Sequence, residues 1–359
     1  MKIVFSTTIY LPHIGGIEIY IHEIAQYLIK NGHTVSVIVA DKYCDNVKEE
    51  VISDEKVIRL PAREIGGFFF LKDRRHLELV RKEIRDADVV HVNVSKFLFD
   101  YFAKQKGFFN YRLVATSHGW LYHTQKYKLI KDIYFKRIIV RYAPMYDGII
   151  NVSYQDQEIA HSFGVKDSTV ILNGVDCYKY SGLKPKKEFE AHFMYWGRIS
   201  QNKGIYECLK KLSKYRHVFR FDIIGKCEDK TYEDRLNQLI KENDMSDKVR
   251  FLGTLSDDEI REILEKTDII MMPSLHEGFG MTLVECLLSG RPIIANTNDS
   301  YRYILQCTQA EEYLFDFEDE STDINTKIEQ LIEKKVSPKN VEQFSAENMI
   351  KKTLAVYGI

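Results

Sequence analysis

Glu277 and Glu285 bracket the stretch Glu277-Gly278-Phe279-Gly280-Met281-Thr282-Leu283-Val284-Glu285, which reads as an anion-binding turn feeding a helix. Gly278 and Gly280, with Phe279 between them, let the backbone approach a ligand closely. The amphipathic run from Met281 to Ser289, stopped by Gly290, supplies a helix whose first N–H groups, at Met281 and Thr282, and positive dipole end face that turn. Such an end suits a diphosphate. Glu277 then sits at the ligand, while Glu285, about one helical turn further on, is placed to accept hydrogen bonds from a vicinal diol such as a ribose. Two carboxylates beside an anion need cations. Arg198 and Lys203 offer them, in a loop directly after the strand-like run His192-Phe193-Met194-Tyr195-Trp196, where α/β sheets bind ligands. Each feature alone fits a packing turn or a chance pair of glutamates; the two loops together favour a binding site.

The elements that must position these loops come from an ordinary soluble-protein composition. The chain has 359 residues and 45% hydrophobic content, enough for two cores. A net charge of −1 argues against wholesale nucleic-acid binding. Cys44, Cys177, Cys208, Cys227, Cys286 and Cys307 are scattered without metal-ligand spacing, and they read as reduced thiols of a cytosolic protein. The start, Met1-Lys2-Ile3-Val4-Phe5-Ser6, reads as a strand and not a signal peptide, and no apolar run reaches membrane-spanning length.

Short Val- and Ile-rich runs alternate with helical patterns from end to end, the signature of parallel sheets covered on both faces. In the first half the spacing predicts strands at 2–7, 33–40, 56–61, 88–93, 112–117, 148–153 and 168–172, with a helix from Ile17 to Asn31. A second series is expected at 192–196, 219–225, 248–252, 268–273, 291–296 and 311–317. The fold class is therefore α/β with two Rossmann-like domains, 1–176 and 191–344, joined by the polar stretch 177–190.

Several other residues invite a chemical reading. Gly15 and Gly16 sit in the first strand-to-helix loop, where they fit either a tight turn or a close approach of backbone N–H groups to a phosphate or hydroxyl. They do not form the dinucleotide fingerprint of an oxidoreductase. His118 ends the strand Leu113 to Ser117, a place from which an imidazole can reach a sugar hydroxyl. Asp86-Ala87-Asp88 superficially matches a metal-binding Asp-x-Asp, but it lies between a helix end and a strand start with no phosphate-binding feature, so no metal site is expected. Asp316-Phe317-Glu318-Asp319-Glu320 reads as a surface turn.

Lys126, Lys128, Lys131, Lys136, Arg137 and Arg141 alternate with Tyr127, Leu129, Ile130, Ile133, Tyr134, Phe135 and Ile138. Phe68-Phe69-Phe70-Leu71 stands beside Lys72, Arg74 and Arg75. A cationic helix with an apolar side, plus an apolar wedge, fits an acceptor-binding or anionic-membrane surface at Lys131, Lys136 and Arg137. An ordinary amphipathic helix docked on the sheet fits equally.

Met272-Pro273-Ser274-Leu275-His276-Glu277, Glu285 and Ser289-Gly290-Arg291-Pro292-Ile293-Ile294-Ala295 together resemble the signature of the family-4 retaining glycosyltransferases of GT-B fold. The resemblance extends through Gly15-Gly16-Ile17-Glu18, Ser117-His118-Gly119, Asn173-Gly174-Val175-Asp176, Gly197-Arg198 and Asn202-Lys203-Gly204. It implies two domains facing each other across a cleft that holds the active site, with the helix at 345–359 crossing back onto the first. It also implies transfer of a hexose-type sugar from a UDP- or GDP-linked donor to a hydroxyl of a glycan or lipid-linked acceptor, on the cytoplasmic side and without a cofactor or metal. His118 and Glu277 then meet the donor sugar, Arg198 and Lys203 the diphosphate, and Gly16, the 278–282 turn and Glu285 the rest of the donor. An acceptor oxygen attacks on the leaving-group face, and a phosphate oxygen takes its proton. A nucleotide-sugar epimerase and a non-catalytic sugar-nucleotide-binding subunit are the competing readings. One departure stands out: many relatives follow the Ser-Gly-x-Pro strand with a Gly-Gly turn, whereas this chain has Asn296-Thr297-Asn298-Asp299-Ser300-Tyr301.

Overall fold

The computed structural model describes residues 1–13, 15–93, 97–120, 128–184, 186, 188–227, 229–334 and 336–359. They divide into two compact units, Met1–Gly174 with Ala346–Ile359, and Val175–Ser345.

In the first unit the apolar runs form β1 (Lys2–Thr7), β2 (Thr34–Asp41), β3 (Lys48–Ile52), β4 (Glu55–Ile65), β5 (Phe68–Leu71), β6 (Val89–Asn93), β7 (Arg112–Thr116), β8 (Gly148–Asn151) and β9 (Thr169–Val170). Their order is β3-β4-β2-β1-β6-β7-β8-β9, with β5 on β4. The run from β4 to β9 through β2, β1, β6, β7 and β8 is parallel, and β3 and β5 pair antiparallel with β4. These two hairpin strands are absent from the sequence expectations. Lys48-Glu49-Glu50 carries no apolar run, and the turn Gly66-Gly67 folds Phe68–Leu71 back by two left-handed glycines.

Two cores flank this sheet. One gathers Val4, Ile38, Leu60, Val92, Phe99, Leu113 and Phe135; the other gathers Ile3, Phe5, Val37 and Ile150 under Ile21, Ile24, Ala25 and Leu28 of the helix Gly16–Lys30. Those four recur at helical spacing, and Gly32 in a left-handed conformation ends the helix. The helix Ala346–Tyr357 joins the second core through Met349, Ile350 and Tyr357.

In the second unit, β10 (His192–Trp196), β11 (Arg220–Ile224), β12 (Val249–Gly253), β13 (Ile269–Met272) and β14 (Ile293–Ala295) form a parallel sheet of order β12-β11-β10-β13-β14. The expected strand at 311–317 is instead a 3-10 turn at Glu311–Tyr313 followed by a single bridge between Leu314 and Ala295. Tyr180 is buried and lies edge-on to Trp196, with ring centroids 4.8 Å apart. Each unit carries a mainly parallel sheet of the doubly wound type. Among the described residues no helix is long and apolar enough to cross a membrane.

Candidate functional site

The strand order locates the chemistry of the second unit. From β10 the chain winds outward to β11 and β12, then returns to the other side of β10 for β13 and β14, so the topological switch falls between β10 and β13. Loops at such a point diverge beyond the strand ends and leave a crevice for a ligand. The two loops that leave there carry Arg198 with Lys203, and Glu277 with the glycine turn.

Backbone geometry brings them together. After β10 the chain runs through Arg198 into a 3-10 turn, Gln201–Lys203, and ends it at Gly204 with φ +63°. A side chain at Gly204 would collide with the Pro273 carbonyl oxygen, so the glycine is what allows this loop to lie against the end of β13. Leu275 N–H completes the contact by donating to the Asn202 carbonyl at 2.9 Å. As a result Lys203 Nζ donates to Glu277 Oε1 at 2.6 Å, an ion pair whose two side chains are 17% and 14% exposed. Lys203, expected near the diphosphate, is paired with Glu277. Arg198 is exposed, and its carbonyl accepts from Tyr195 Oη at 2.7 Å. Burial and the charge of Glu277 hold the Tyr195 phenol well above its ordinary pKa, so it stays a donor.

Gly278 is exposed, Phe279 is buried against Phe344, and Gly280 caps the helix Met281–Leu288 at φ +103°. A Cβ there would sit 2.7 Å from the Tyr301 ring. No side chain caps this helix, so its first N–H groups, at Met281 and Thr282, remain directed beyond the turn. Glu285 stands half-buried on the same helix. The arrangement can hold an anion at the helix start and a polyhydroxyl group at Glu277.

Tyr301 is the residue that sequence reasoning missed. It is fully buried and donates from its hydroxyl to Glu277 Oε1 at 3.1 Å. The only signal in the sequence is the replacement of a glycine-rich turn by Asn298-Asp299-Ser300-Tyr301.

In the first unit the switch falls between β1 and β6. Gly15 is the extended cap of the helix Gly16–Lys30, with Gly16 exposed as its first residue. A Cβ at Gly15 would lie 2.7 Å from Glu18 Oε2. The loop before it is tied down by Tyr10, which hydrogen-bonds buried Glu55, and by Arg59, which donates to the Leu11 carbonyl. His118 follows β7 in a left-handed run, with φ +43° at His118, +85° at Gly119 and +48° at Trp120. Two non-glycine residues in that region are costly, and Asp156 offsets the cost by accepting from Ser117 Oγ at 2.6 Å and Gly119 N–H at 2.8 Å. The turn leaves the His118 ring buried, 3.1 Å from Asn93 Oδ1 and edge-on to Tyr20 at 4.8 Å.

The basic cluster is only partly a surface. Lys131 turns inward and is 6% exposed, which corrects its assignment as a surface residue; burial lowers its pKa. Lys136, Arg137 and Arg141 are exposed, as are Leu129, Ile130 and Ile133. The helix Lys128–Tyr134 continues into a π turn at Phe135–Ile139, which carries Phe135 and Ile139 into the core. Lys126 and Tyr127 lie outside the described residues, as does the side chain of Lys128. The apolar wedge also needs correction: Phe68 is a core residue of β5, 4.6 Å from Tyr134, and only Phe70 of the three phenylalanines is exposed. Lys72 pairs with Asp45 and Arg75 with Asp73. Asp86 pairs with Lys2, and Asp88 accepts from the Lys2 N–H.

The chain matches the family model "Glycosyltransferase Family 4" over residues 14–179 and "Glycosyl transferases group 1" over 181–348. It is 30% identical over 304 residues to the GDP-mannose:cellobiosyl-diphosphopolyprenol alpha-mannosyltransferase of Xanthomonas oryzae pv. oryzae, covering 82% of this chain and 79% of that one. Among solved structures, HepE of Anabaena in complex with UDP superposes with a TM-score of 0.78 at 18% identity over the whole of both chains. The lipopolysaccharide outer core galactosyltransferase WaaB does so with 0.72 at 16% identity over 99% of each. With the E-x7-E turn at one switch point and the His118 turn in the other sheet, the chain belongs to glycosyltransferase family 4 and is a glycosyltransferase of GT-B fold.

Proposed function

We propose that this enzyme transfers mannose from GDP-mannose to a hydroxyl of a polyprenyl-diphosphate-linked glycan, with retention at the sugar carbon and no need for a metal ion. The observation that carries the reading is the Lys203–Glu277 pair beside the uncapped start of the helix Met281–Leu288. Donor and acceptor class follow the relative whose name specifies GDP-mannose and a diphosphopolyprenol. An α-linked product from an α-linked donor is a retaining outcome.

In this mechanism the helix start, Arg198 and Lys203 stabilise the negative charge that grows on the departing diphosphate, the role a divalent cation plays elsewhere. Glu277 holds the sugar, and Glu285 accepts from the ribose hydroxyls; in the first unit His118 is assigned to a sugar hydroxyl. The bond between the sugar C1 and the phosphate oxygen breaks with its electron pair going to the diphosphate. The acceptor oxygen bonds to C1 from the same face, and its proton passes to a diphosphate oxygen. Gly15 and Gly16 leave room for the acceptor or the donor phosphate at the first helix start.

A lipid-borne acceptor is met at a membrane surface, on the cytoplasmic side where nucleotide sugars are found. The first unit carries a face suited to it. Leu129, Ile130 and Ile133 stand 79%, 53% and 61% exposed, with Lys136, Arg137 and Arg141 on the next turns. Ile65 and Phe70 are also exposed, on the β4–β5 hairpin whose buried Phe68 meets Tyr134.

Incubation with GDP-mannose, UDP-glucose and a polyprenyl-diphosphate-linked disaccharide in EDTA tests the whole. Mannose should move to the lipid with retained configuration. Release of a free sugar isomer would favour an epimerase, and binding without turnover a silent subunit.

A further inference from the structure

The loop that follows β14 holds Glu277 at two points and Ser274 at a third. Tyr301 Oη donates to Glu277 Oε1 at 3.1 Å, Ser300 Oγ donates to the Glu277 carbonyl at 2.9 Å, and Asn298 Nδ2 donates to the Ser274 carbonyl at 2.7 Å. Asn298 Oδ1 also accepts from the Tyr301 N–H at 2.9 Å, which caps the helix Asp299–Cys307 and fixes where the tyrosine enters. Ser274 lies next to the Tyr301 hydroxyl and favours its charged form, against the stronger effect of burial.

Both donors to the Glu277 carboxylate, Lys203 and Tyr301, meet the same oxygen. Among the described residues no hydrogen bond reaches Oε2, so one oxygen is committed to the protein and the other is left for a ligand. The two donors are not equivalent. A lysine ammonium on a flexible stem follows the carboxylate as it turns about its broad terminal torsion, whereas a phenol on a buried ring has one direction. Tyr301 has 0% exposure and is wedged against Gly280. Burial and the charge of Glu277 push its ionisation well up, so it remains a donor throughout the working range of pH.

We infer that Tyr301 is a positioning residue that fixes the plane in which the Glu277 carboxylate presents its second oxygen to the donor sugar, and that the loop 296–301 thereby sets discrimination among sugars. The inference rests on the reading of Glu277 as the group that holds the sugar.

The test compares wild type with Tyr301→Phe, Ser274→Ala, Glu277→Ala and the double variant Tyr301→Phe with Glu277→Ala. Calorimetry uses two probe pairs, GDP with GDP-mannose and UDP with UDP-glucose, and is scored on the pair that the wild type binds. Tyr301→Phe should leave the nucleoside diphosphate affinity within about twofold and weaken the nucleotide sugar by roughly tenfold, the usual worth of one hydrogen bond to a charged group. Turnover should fall while KM for the acceptor holds. Ser274→Ala, which keeps the ring, should show a smaller loss in the same direction. In the Glu277→Ala background, Tyr301→Phe should add nothing. Equal loss with the bare nucleoside diphosphate, wild-type sugar binding in Tyr301→Phe, or multiplying losses in the double variant would each overturn the inference. A Glu277→Ala variant that binds and turns over normally, or a wild type that binds neither pair, removes the reading beneath it and the inference with it.

Discussion

Lys203 Nζ and Glu277 Oε1 stand 2.6 Å apart, and they join the loop after β10 to the loop after β13 on either side of the sheet's switch point. A cation expected at the phosphate therefore also orients the carboxylate expected at the sugar. One residue links leaving-group charge to sugar placement.

Breaking that pair should cost stability as well as binding. Lys203→Ala leaves a half-buried carboxylate with one donor fewer, so a loss of about 1–3 kcal/mol is expected, below the cost of a fully buried pair. Adding Glu277→Gln should recover part of it. Denaturant titration of Lys203→Ala, Glu277→Gln and the double variant measures this, and additive losses would show that the pair contributes nothing beyond its members.

The two glutamates should separate kinetically. Glu285→Ala should raise KM for the nucleotide sugar with turnover largely kept, because a ribose contact is uniform between ground and transition states. Glu277→Ala should chiefly lower kcat. Steady-state kinetics with GDP-mannose decide it, and matching profiles would remove the division of roles.

How much of this was legible in the sequence depends on the element. The parallel strands β1, β2, β6, β7, β10, β11 and β13 were legible because strands buried on both faces are continuous apolar runs. The loops bearing Arg198, Lys203 and Glu277 were legible because glycines and charges follow such runs directly. β3 was not, since a strand paired on an edge needs little apolar content and Lys48-Glu49-Glu50 has none; β5 was not, because its short apolar run beside Lys72, Arg74 and Arg75 reads as a surface wedge. The inward turn of Lys131 was hidden by two apolar stripes on one helix, Leu129, Ile130 and Ile133 against Tyr134, Phe135 and Ile139. Composition does not say which faces the core, and the π turn shifts the register between them. The role of Tyr301 needed the fold, because 24 positions separate it from Glu277.

The exposed stripe should bind anionic vesicles. Replacing Leu129, Ile130 and Ile133 with Ser should weaken co-sedimentation at any salt concentration. Replacing Lys136, Arg137 and Arg141 with Glu should abolish its salt-sensitive part, since each basic group near such a surface is worth about 1 kcal/mol within a Debye length. Indifference of the wild type to anionic vesicles at low salt would make the stripe an ordinary solvated face.

A second, pH-dependent effect belongs to the first helix. His22 Nδ1 lies 2.7 Å from Glu55 Oε1, and the hydrogen bond to that carboxylate raises the folded-state pKa of His22 above its ordinary value. A raised pKa means the folded state holds the proton more tightly. The stability it adds is fully present below about pH 6.5, the unfolded value, and is lost as pH rises through the higher folded one. Thermal melts across that window should fall more steeply for wild type than for His22→Gln. Parallel curves would contradict the assignment.

The most direct measurement is transfer itself: radiolabelled GDP-mannose with a polyprenyl-diphosphate-linked disaccharide in excess EDTA, followed by organic extraction and determination of the anomeric configuration of the new linkage. The account predicts label in the lipid fraction with retained configuration, reduced by roughly 100-fold or more in Glu277→Ala and in Lys203→Ala, as for loss of a group that stabilises developing charge. Inverted product, activity that appears only when a divalent metal is restored, or full activity in both variants would contradict it.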